Sequence, residues 1–254
     1  MRSRCIALVL ATAAATAQAA AYVPLEGGRF ESVLPQGNVP TASTPVEVAP
    51  FALRETPVTV AEFESFLATH PQWRRDRVPS LLADVRYLSD WSGPMRPNAP
   101  AQSPVVNVSW HAARAYCASE GARLPTWLEW EYAAAADETR RDARADPAWR
   151  ARILAWYERT TPDPLPAVGG TPNAWRVRDL HGLVWEWVDD FNALFIAGDS
   201  RTQGDPDLLK FCGAGAISVI DRDSYAVLMR IALLSSLAAS DTTSNLGFRC
   251  ARSL

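Results

Sequence analysis

Residues 178–187 read Arg178-Asp179-Leu180-His181-Gly182-Leu183-Val184-Trp185-Glu186-Trp187, two carboxylates set around a glycine with Glu186 between two tryptophans. The stretch reads as a turn running into a strand. The two-residue period of a strand puts Trp185 and Trp187 on one face and Val184, Glu186 and Val188 on the other, so Glu186 sits among large apolar neighbours. Gly182 allows a backbone conformation that turns peptide carbonyls inward, so that Asp179, Glu186 and one or two main-chain oxygens can converge. An all-oxygen set of this kind suits a hard cation such as calcium. The same spacing also fits a plainer reading, in which Asp179 closes a turn and Glu186 is a solvated strand residue.

Upstream of this stretch, the densely charged residues 137–160 carry Trp149, Ile153, Leu154 and Trp156 at the spacing of a surface helix. Before them, Thr126-Trp127-Leu128-Glu129 is a capping box that opens a helix running through Ala136. Ser109 caps an earlier helix carrying Trp110, Ala113, Tyr116 and Cys117, and Gly121 closes it. Pro104-Val105-Val106-Asn107-Val108 reads as a short strand. Residues 70–102 are rich in Pro, Trp and Arg without periodicity, which makes them a long ordered loop. Thr59 caps a short helix with Phe63, Phe66 and Leu67 on one face. Val46-Glu47-Val48 with Phe51-Ala52-Leu53 reads as one strand, residues 36–45 as a loop, and Gly27-Gly28 as a turn into a strand at 30–33. Downstream, residues 211–218 are glycine-rich, residues 225–239 are an apolar core segment interrupted by Arg230, and residues 244–250 return as a turn and a final strand. Short strands, few helices and long loops define a loop-rich α+β domain.

The chain opens on Met1-Arg2-Ser3-Arg4, followed by small and apolar residues that end in Ala17-Gln18-Ala19. This is the pattern of a cleavable signal peptide over residues 1–19, with the domain filling 20–254. The apolar core is too short to span a membrane, so a periplasmic or secreted protein with no membrane span in the mature chain is expected. A net charge of −3 with scattered basic residues gives no footprint for nucleic acid. Cys117, Cys212 and Cys250 remain after the leader, an odd number in an oxidising compartment, and one pair plus one thiol is the simplest count.

Several chemistries are missing from the pattern. His70, His111 and His181 are far apart and lack the spacing that places two ligands on one helix face, and there is no Cys-x-x-Cys. The glycines after Cys212 lack the Lys-Ser/Thr ending of a phosphate loop. No Gly-x-Ser-x-Gly elbow is present.

Taken in order, the landmarks resemble the formylglycine-generating enzyme family, also called sulfatase-modifying factors. They are Tyr22-Val23-Pro24 with Gly27-Gly28-Arg29-Phe30, Glu55-Thr56-Pro57-Val58-Thr59, residues 104–110, Ala115-Tyr116-Cys117, Arg123-Leu124-Pro125-Thr126 with Glu129-Trp130-Glu131-Tyr132, residues 182–187, and Asn245-Leu246-Gly247-Phe248-Arg249-Cys250. The resemblance implies a single domain related to the C-type lectin fold, with bound calcium. It places the family's second calcium site on the side chains of Asp179 and Glu186 and the carbonyls of Gly182 and Val184, and it implies a disulfide between Cys117 and Cys250. The family's copper chemistry uses a pair of cysteine thiolates, which suit Cu(I). At those positions this chain has Asp221 and Ala226. Copper oxidase chemistry of the known kind is therefore not expected.

Branches of the family without that cysteine pair resemble exported maturation factors, including a pyoverdine-maturation branch and proteins associated with nitrite reductase. The first expectation is a periplasmic maturation factor, an oxidoreductase acting on a siderophore precursor or partner protein, with Asp221, Asp223 and Tyr225 as its catalytic groups. The second is a non-catalytic, calcium-stabilised binding module on the same scaffold, presenting the groove near Asp221, Asp223 and Tyr225.

Overall fold

The computed structural model describes residues 20–33, 45–193 and 225–254. The expected leader, Cys212, the glycine-rich stretch, Asp221 and Asp223 lie outside the described residues.

The chain begins with β1 (Tyr22–Leu25) and β2 (Gly28–Phe30) on either side of the expected turn. Residues 46–53 are two strands rather than the single one expected, β3 (Val46–Val48) and β4 (Phe51–Arg54). Pro50 separates them because it has no N–H to give a ladder. The chain changes partner there: β3 pairs with β2, and β4 pairs with β1.

Helix α1 (Val60–Thr69) starts at a full capping box, with Thr59 accepting the Glu62 amide and Glu62 reaching back. Phe63, Phe66 and Leu67 are buried on one face, as their spacing requires. The long segment after it is ordered by a 3-10 turn at Pro71–Trp73 and the small hairpin of β5 (Trp91–Gly93) and β6 (Arg96–Pro97). The strand expected at 104–108 does not form. Pro104 makes one isolated bridge to Thr59, and the run ends at Asn107, which adopts a left-handed φ of 54°.

Helix α2 (Trp110–Ser119) is capped by the Ser109 side chain. It closes in a Schellman turn, with Ala122 N–H donating to Cys117 O and Gly121 N–H to Ala118 O. Helix α3 (Trp127–Ala134) has its expected capping box of Thr126 and Glu129. Helix α4 (Pro147–Tyr157) is capped by Asp146 and, as a surface helix, buries only Ile153.

Strand β7 (Trp185–Trp187), a 3-10 turn at Phe191–Ala193, helix α5 (Tyr225–Ser235), and strands β8 (Leu246–Phe248) and β9 (Ala251–Ser253) complete the described elements. β9 adds to β4, making the sheet β1-β4-β9. β7 and β8 pair in parallel, with Glu186 opposite Gly247. The core gathers Trp127, Trp130 and Trp187 with Phe51, Phe63 and Phe248, each almost wholly removed from water. Each such aromatic or aliphatic side chain contributes about 1.5–3 kcal/mol through burial.

Cys117 on α2 and Cys250 between β8 and β9 form a disulfide with Cα atoms 5.4 Å apart. It ties the middle of the chain to its last sheet. The α+β class follows from these short sheets and capped helices.

Candidate functional site

Glu186 is not solvated. Its carboxylate is wholly buried and meets the equally buried guanidinium of Arg249, with Nη2 2.7 Å from Oε1 and Nε 2.8 Å from Oε2. Trp130 Nε1–H donates to Oε2 at 2.8 Å. A buried carboxylate is tolerable only with such charge-assisted partners. Arg249 is itself shared out: Nη1 donates to the carbonyls of Arg54 and Glu55, and Nη2 also donates to the carbonyl of Arg178. One guanidinium thus joins the end of β4, the start of the 178–187 stretch and β7.

Arg230 reaches the same place from α5. It donates to the main-chain oxygen of Glu186 and lies over the Trp130 ring, 3.5 Å from its centroid. Burial pulls its pKa down to about 10, so it stays charged at neutral pH.

Asp179 faces a different set of partners. It sits at a left-handed φ of 60°, a conformation that short polar residues tolerate, and its carboxylate accepts the Gly169 N–H at 2.7 Å and the Gly170 N–H at 3.0 Å. A Cβ at residue 170 would stand 2.6 Å from Oδ1 of Asp179, so this close approach needs glycine. The neighbouring Arg178 pairs with Glu55 and donates to the Gly170 carbonyl.

These contacts define what a cation could use. Glu186 Oε2 has two donors while Oε1 has one, which leaves an acceptor position on Oε1; Asp179 likewise has one donor on each oxygen. The family resemblance would place a structural calcium on Asp179 and Glu186 with the carbonyls of Gly182 and Val184; the two carboxylates have separate partners here. Among the described residues no three His, Cys, Asp or Glu side chains are grouped for a metal. Of the other expected site residues, Tyr225 opens α5, while Asp221 and Asp223 fall outside the described residues.

Beside Asp179 lies a cleft of about 370 Å³, bounded by Trp149, Arg152, Trp156 and Arg159 on one side and by Gly170, Asp179 and His181 on the other. His181 Nε2 is 2.8 Å from the carbonyl of Ala134, which can only accept, so Nε2 carries the proton. Nδ1 is buried without a partner. Burial pushes the imidazole pKa down to about 4, so the ring is neutral at pH 7. The ring makes T-shaped contacts with Trp130 and Trp149.

Sequence reasoning missed both arginines as partners of Glu186. The signal was there in Arg230, the one charge in an apolar run, and in Arg249 of the Gly-Phe-Arg-Cys ending. It also passed over the Gly169-Gly170 pair that receives Asp179.

A small-sheet α+β domain closed at its end by a buried Glu-Arg pair and a disulfide is the class of protein that this geometry defines. The sulfatase-modifying factor enzyme 1-like domain model matches residues 9–254, and the chain belongs to that family. The match begins inside the expected leader. A formylglycine-generating enzyme of Streptomyces coelicolor is 32% identical over 90% of this chain and 88% of its own length. The inactive C-alpha-formylglycine-generating enzyme 2 of Mus musculus is 28% identical over 93% of this chain and 87% of its own. A hercynine oxygenase of Mycobacterium tuberculosis is 30% identical over 56% of this chain and 38% of its own. By these names the relatives include both active and inactive proteins.

Proposed function

We propose that this chain is an exported maturation factor that acts in the periplasm on a siderophore precursor or a partner protein, as an oxidoreductase that does not use a thiolate-pair copper site. The observation that carries the reading is the Cys117–Cys250 disulfide. It engages two of the three cysteines that follow the leader and leaves only Cys212 as a thiol. A single thiolate cannot reproduce a two-cysteine Cu(I) centre. Proton transfer in such a reaction would then fall to the oxygen groups of Asp221, Asp223 and Tyr225. The family membership supports a maturation role, and the name of the hercynine oxygenase relative supports oxidative chemistry on this kind of domain.

A second reading is a non-catalytic binding module stabilised by calcium at Asp179 and Glu186. The cleft beside His181 favours it, because a cavity of this size with aromatic walls suits a small ligand. The inactive relative also supports it.

Metabolites and exported metalloenzymes compared between a deletion strain and its parent test the first reading. An accumulated precursor, or a metalloenzyme lacking its matured group, is expected in the deletion strain. Identical profiles would overturn it. Oxygen uptake by the purified protein with the accumulated precursor then marks an enzyme, and stoichiometric binding without uptake marks the module.

A further inference from the structure

We infer that two consecutive turns over residues 79–87 dock this protein on an anionic lipid surface, as a peripheral contact made without a membrane span. The inference stands apart from both readings above, because it uses neither the cleft beside His181 nor residues 221–225.

Among the described residues, the large apolar side chains left exposed are Leu81, Val85, Met229 and Leu254. Leu81 and Val85 are 83% and 92% exposed, against 40% for Met229, and both stand at the corners of tight turns. In the first turn, Leu82 N–H donates to the Pro79 carbonyl at 2.8 Å, which makes Ser80 and Leu81 its central residues. In the second, Tyr87 N–H donates to the Asp84 carbonyl at 3.2 Å around Val85 and Arg86. Such corners favour Gly, Pro, Asn, Asp and Ser. A leucine and a β-branched valine at successive corners run against that preference.

The turns are firmly anchored, so their apices are presented to the outside. Asp84 N–H donates to the Ser240 carbonyl at 2.9 Å, and the Asp84 carboxylate accepts the Thr242 hydroxyl at 2.6 Å. Behind the corners, Ala83, Tyr87 and Leu88 are buried, with the Tyr87 hydroxyl donating to the Trp73 carbonyl and Leu88 N–H to that of Asn107. The core closes without Leu81 and Val85. Folding therefore gives no reason for an apolar side chain at either corner.

Charge selects the partner. Residues 70–102 carry Arg74, Arg75, Arg77, Arg86 and Arg96 against Asp76, Asp84 and Asp90, a positive excess in a chain whose net charge is −3. Asp84 is paired with Arg86, Asp90 accepts the Asn107 amide, and Asp76 is exposed between the exposed Arg75 and Arg77. Arg74 and Arg75 donate to main-chain carbonyls, which does not neutralise them. Apolar tips set in a basic surround match a headgroup layer: the arginines meet anionic lipid while the leucine and valine enter the acyl boundary. Their almost complete exposure marks them as projecting tips, which a lipid interface accepts without a fitted pocket. No helix among the described residues is long and apolar enough to cross a membrane, so the contact is interfacial.

The full-length mature protein is mixed with vesicles of phosphatidylcholine alone, or with vesicles holding about one third phosphatidylglycerol, and the bound fraction is read by co-sedimentation. Binding to the anionic vesicles is expected, weaker by about tenfold on phosphatidylcholine alone and falling as salt rises. Leu81→Ser combined with Val85→Ser is expected to weaken binding to the anionic vesicles by about tenfold or more, with the melting temperature unchanged. Arg77→Gln should weaken it by about fivefold, and Asp76→Asn should tighten it by about as much. These two exposed single changes, opposite in sign, test the charge argument even if the double variant fails to fold. Wild-type protein that stays in the supernatant, equal binding to both kinds of vesicle, or binding that the double variant leaves intact would overturn the inference. Sedimentation velocity without vesicles tests a second copy as the occupant. A dimer broken by the double variant, in a protein that ignores vesicles, would assign the corners to self-association and overturn lipid docking. None of these outcomes touches the maturation reading, which the deletion strain decides separately.

Discussion

Arg249 and Glu186 form a bidentate ion pair with neither side chain exposed to water, 2.7 Å apart at the closest approach. The pair is long-range in sequence and central in space. Because Arg249 also caps the carbonyls of Arg54, Glu55 and Arg178, it sets the 178–187 stretch against both β4 and the chain's last turn. Asp179 and Glu186, the two carboxylates of the motif, are thereby given different work.

Breaking this pair from one side is expected to be severe. Arg249→Met leaves a buried carboxylate with only the Trp130 indole, and Glu186→Gln leaves a buried guanidinium beside Arg230, each costing about 3–5 kcal/mol of unfolding free energy. Urea denaturation checks it. The double variant should lose less than the sum of the two, because the Glu186–Arg249 interaction can be lost only once.

Reducing or removing the disulfide is expected to cost about 5 kcal/mol in the chain-entropy model, since the bridge spans 133 positions. Cys117→Ala with Cys250→Ala, compared with wild type under oxidising conditions, gives the measurement. Peptide mapping without reductant should recover the two cysteines as one linked species.

What could be read from the sequence divides by range. Capping boxes at Thr59 and Thr126 and the closure at Gly121 are local, decided within a few residues, and the helices stand where those signals put them. The break between β3 and β4 was legible in Pro50 but hidden by the continuous alternation on either side of it. Val105 and Val108 carry strand-forming side chains, yet beyond the Pro104 bridge the stretch makes separate backbone hydrogen bonds, Val105 to Val58 and Asn107 to Thr243, and no ladder, because Asn107 turns the backbone. Glu186 was placed correctly among apolar neighbours, but spacing could not name its partner, because Arg249 lies 63 residues further on. The cleft is the least legible of all. It depends on α4 lying over the Gly170 turn, a relation that no local pattern carries.

Acid should destabilise the protein through His181. Its folded pKa, about 4, lies below the ordinary histidine value of 6.5, so between those pH values the unfolded chain binds more protons than the folded one. The stabilisation is complete above pH 6.5 and is lost as pH falls toward 4. It amounts to a loss on the order of 2–3 kcal/mol across that window. Melting temperature followed over that window should fall for wild type and fall less for His181→Phe, whose ring cannot take a proton.

Calcium at Asp179 and Glu186 is expected to raise the melting temperature by mass action, with about 2.7 kcal/mol gained at a hundredfold excess over the dissociation constant. The right comparison is Asp179→Asn, which keeps a side chain suited to a left-handed φ and an oxygen for the Gly169 or Gly170 amide. Chelator should lower the wild-type midpoint and leave that variant where it is. A wild-type midpoint indifferent to chelator would assign Asp179 to the Gly169-Gly170 turn alone.

The last expectation is chemical: the mature protein loaded with Cu(I) should not convert a sulfatase-type cysteine peptide to formylglycine. Copper oxidation of this kind needs two thiolates on one ion, and soft sulfur is what holds Cu(I). Here Cys117 and Cys250 are locked together in the core, with no exposure to solvent. The positions of the family's thiolate pair hold Asp221, a hard oxygen donor, and Ala226, which donates nothing. Cys212 could supply one thiolate, and the softer groups available to join it are Met229, exposed on α5, and His111 on α2. A histidine or thioether beside one thiolate can bind copper but does not rebuild a two-thiolate centre. Mass spectrometry of the peptide after incubation reads the outcome directly. An unmodified cysteine peptide is expected, and an aldehyde product that disappears in Cys212→Ser would show that this chain has rebuilt the chemistry around its remaining thiol.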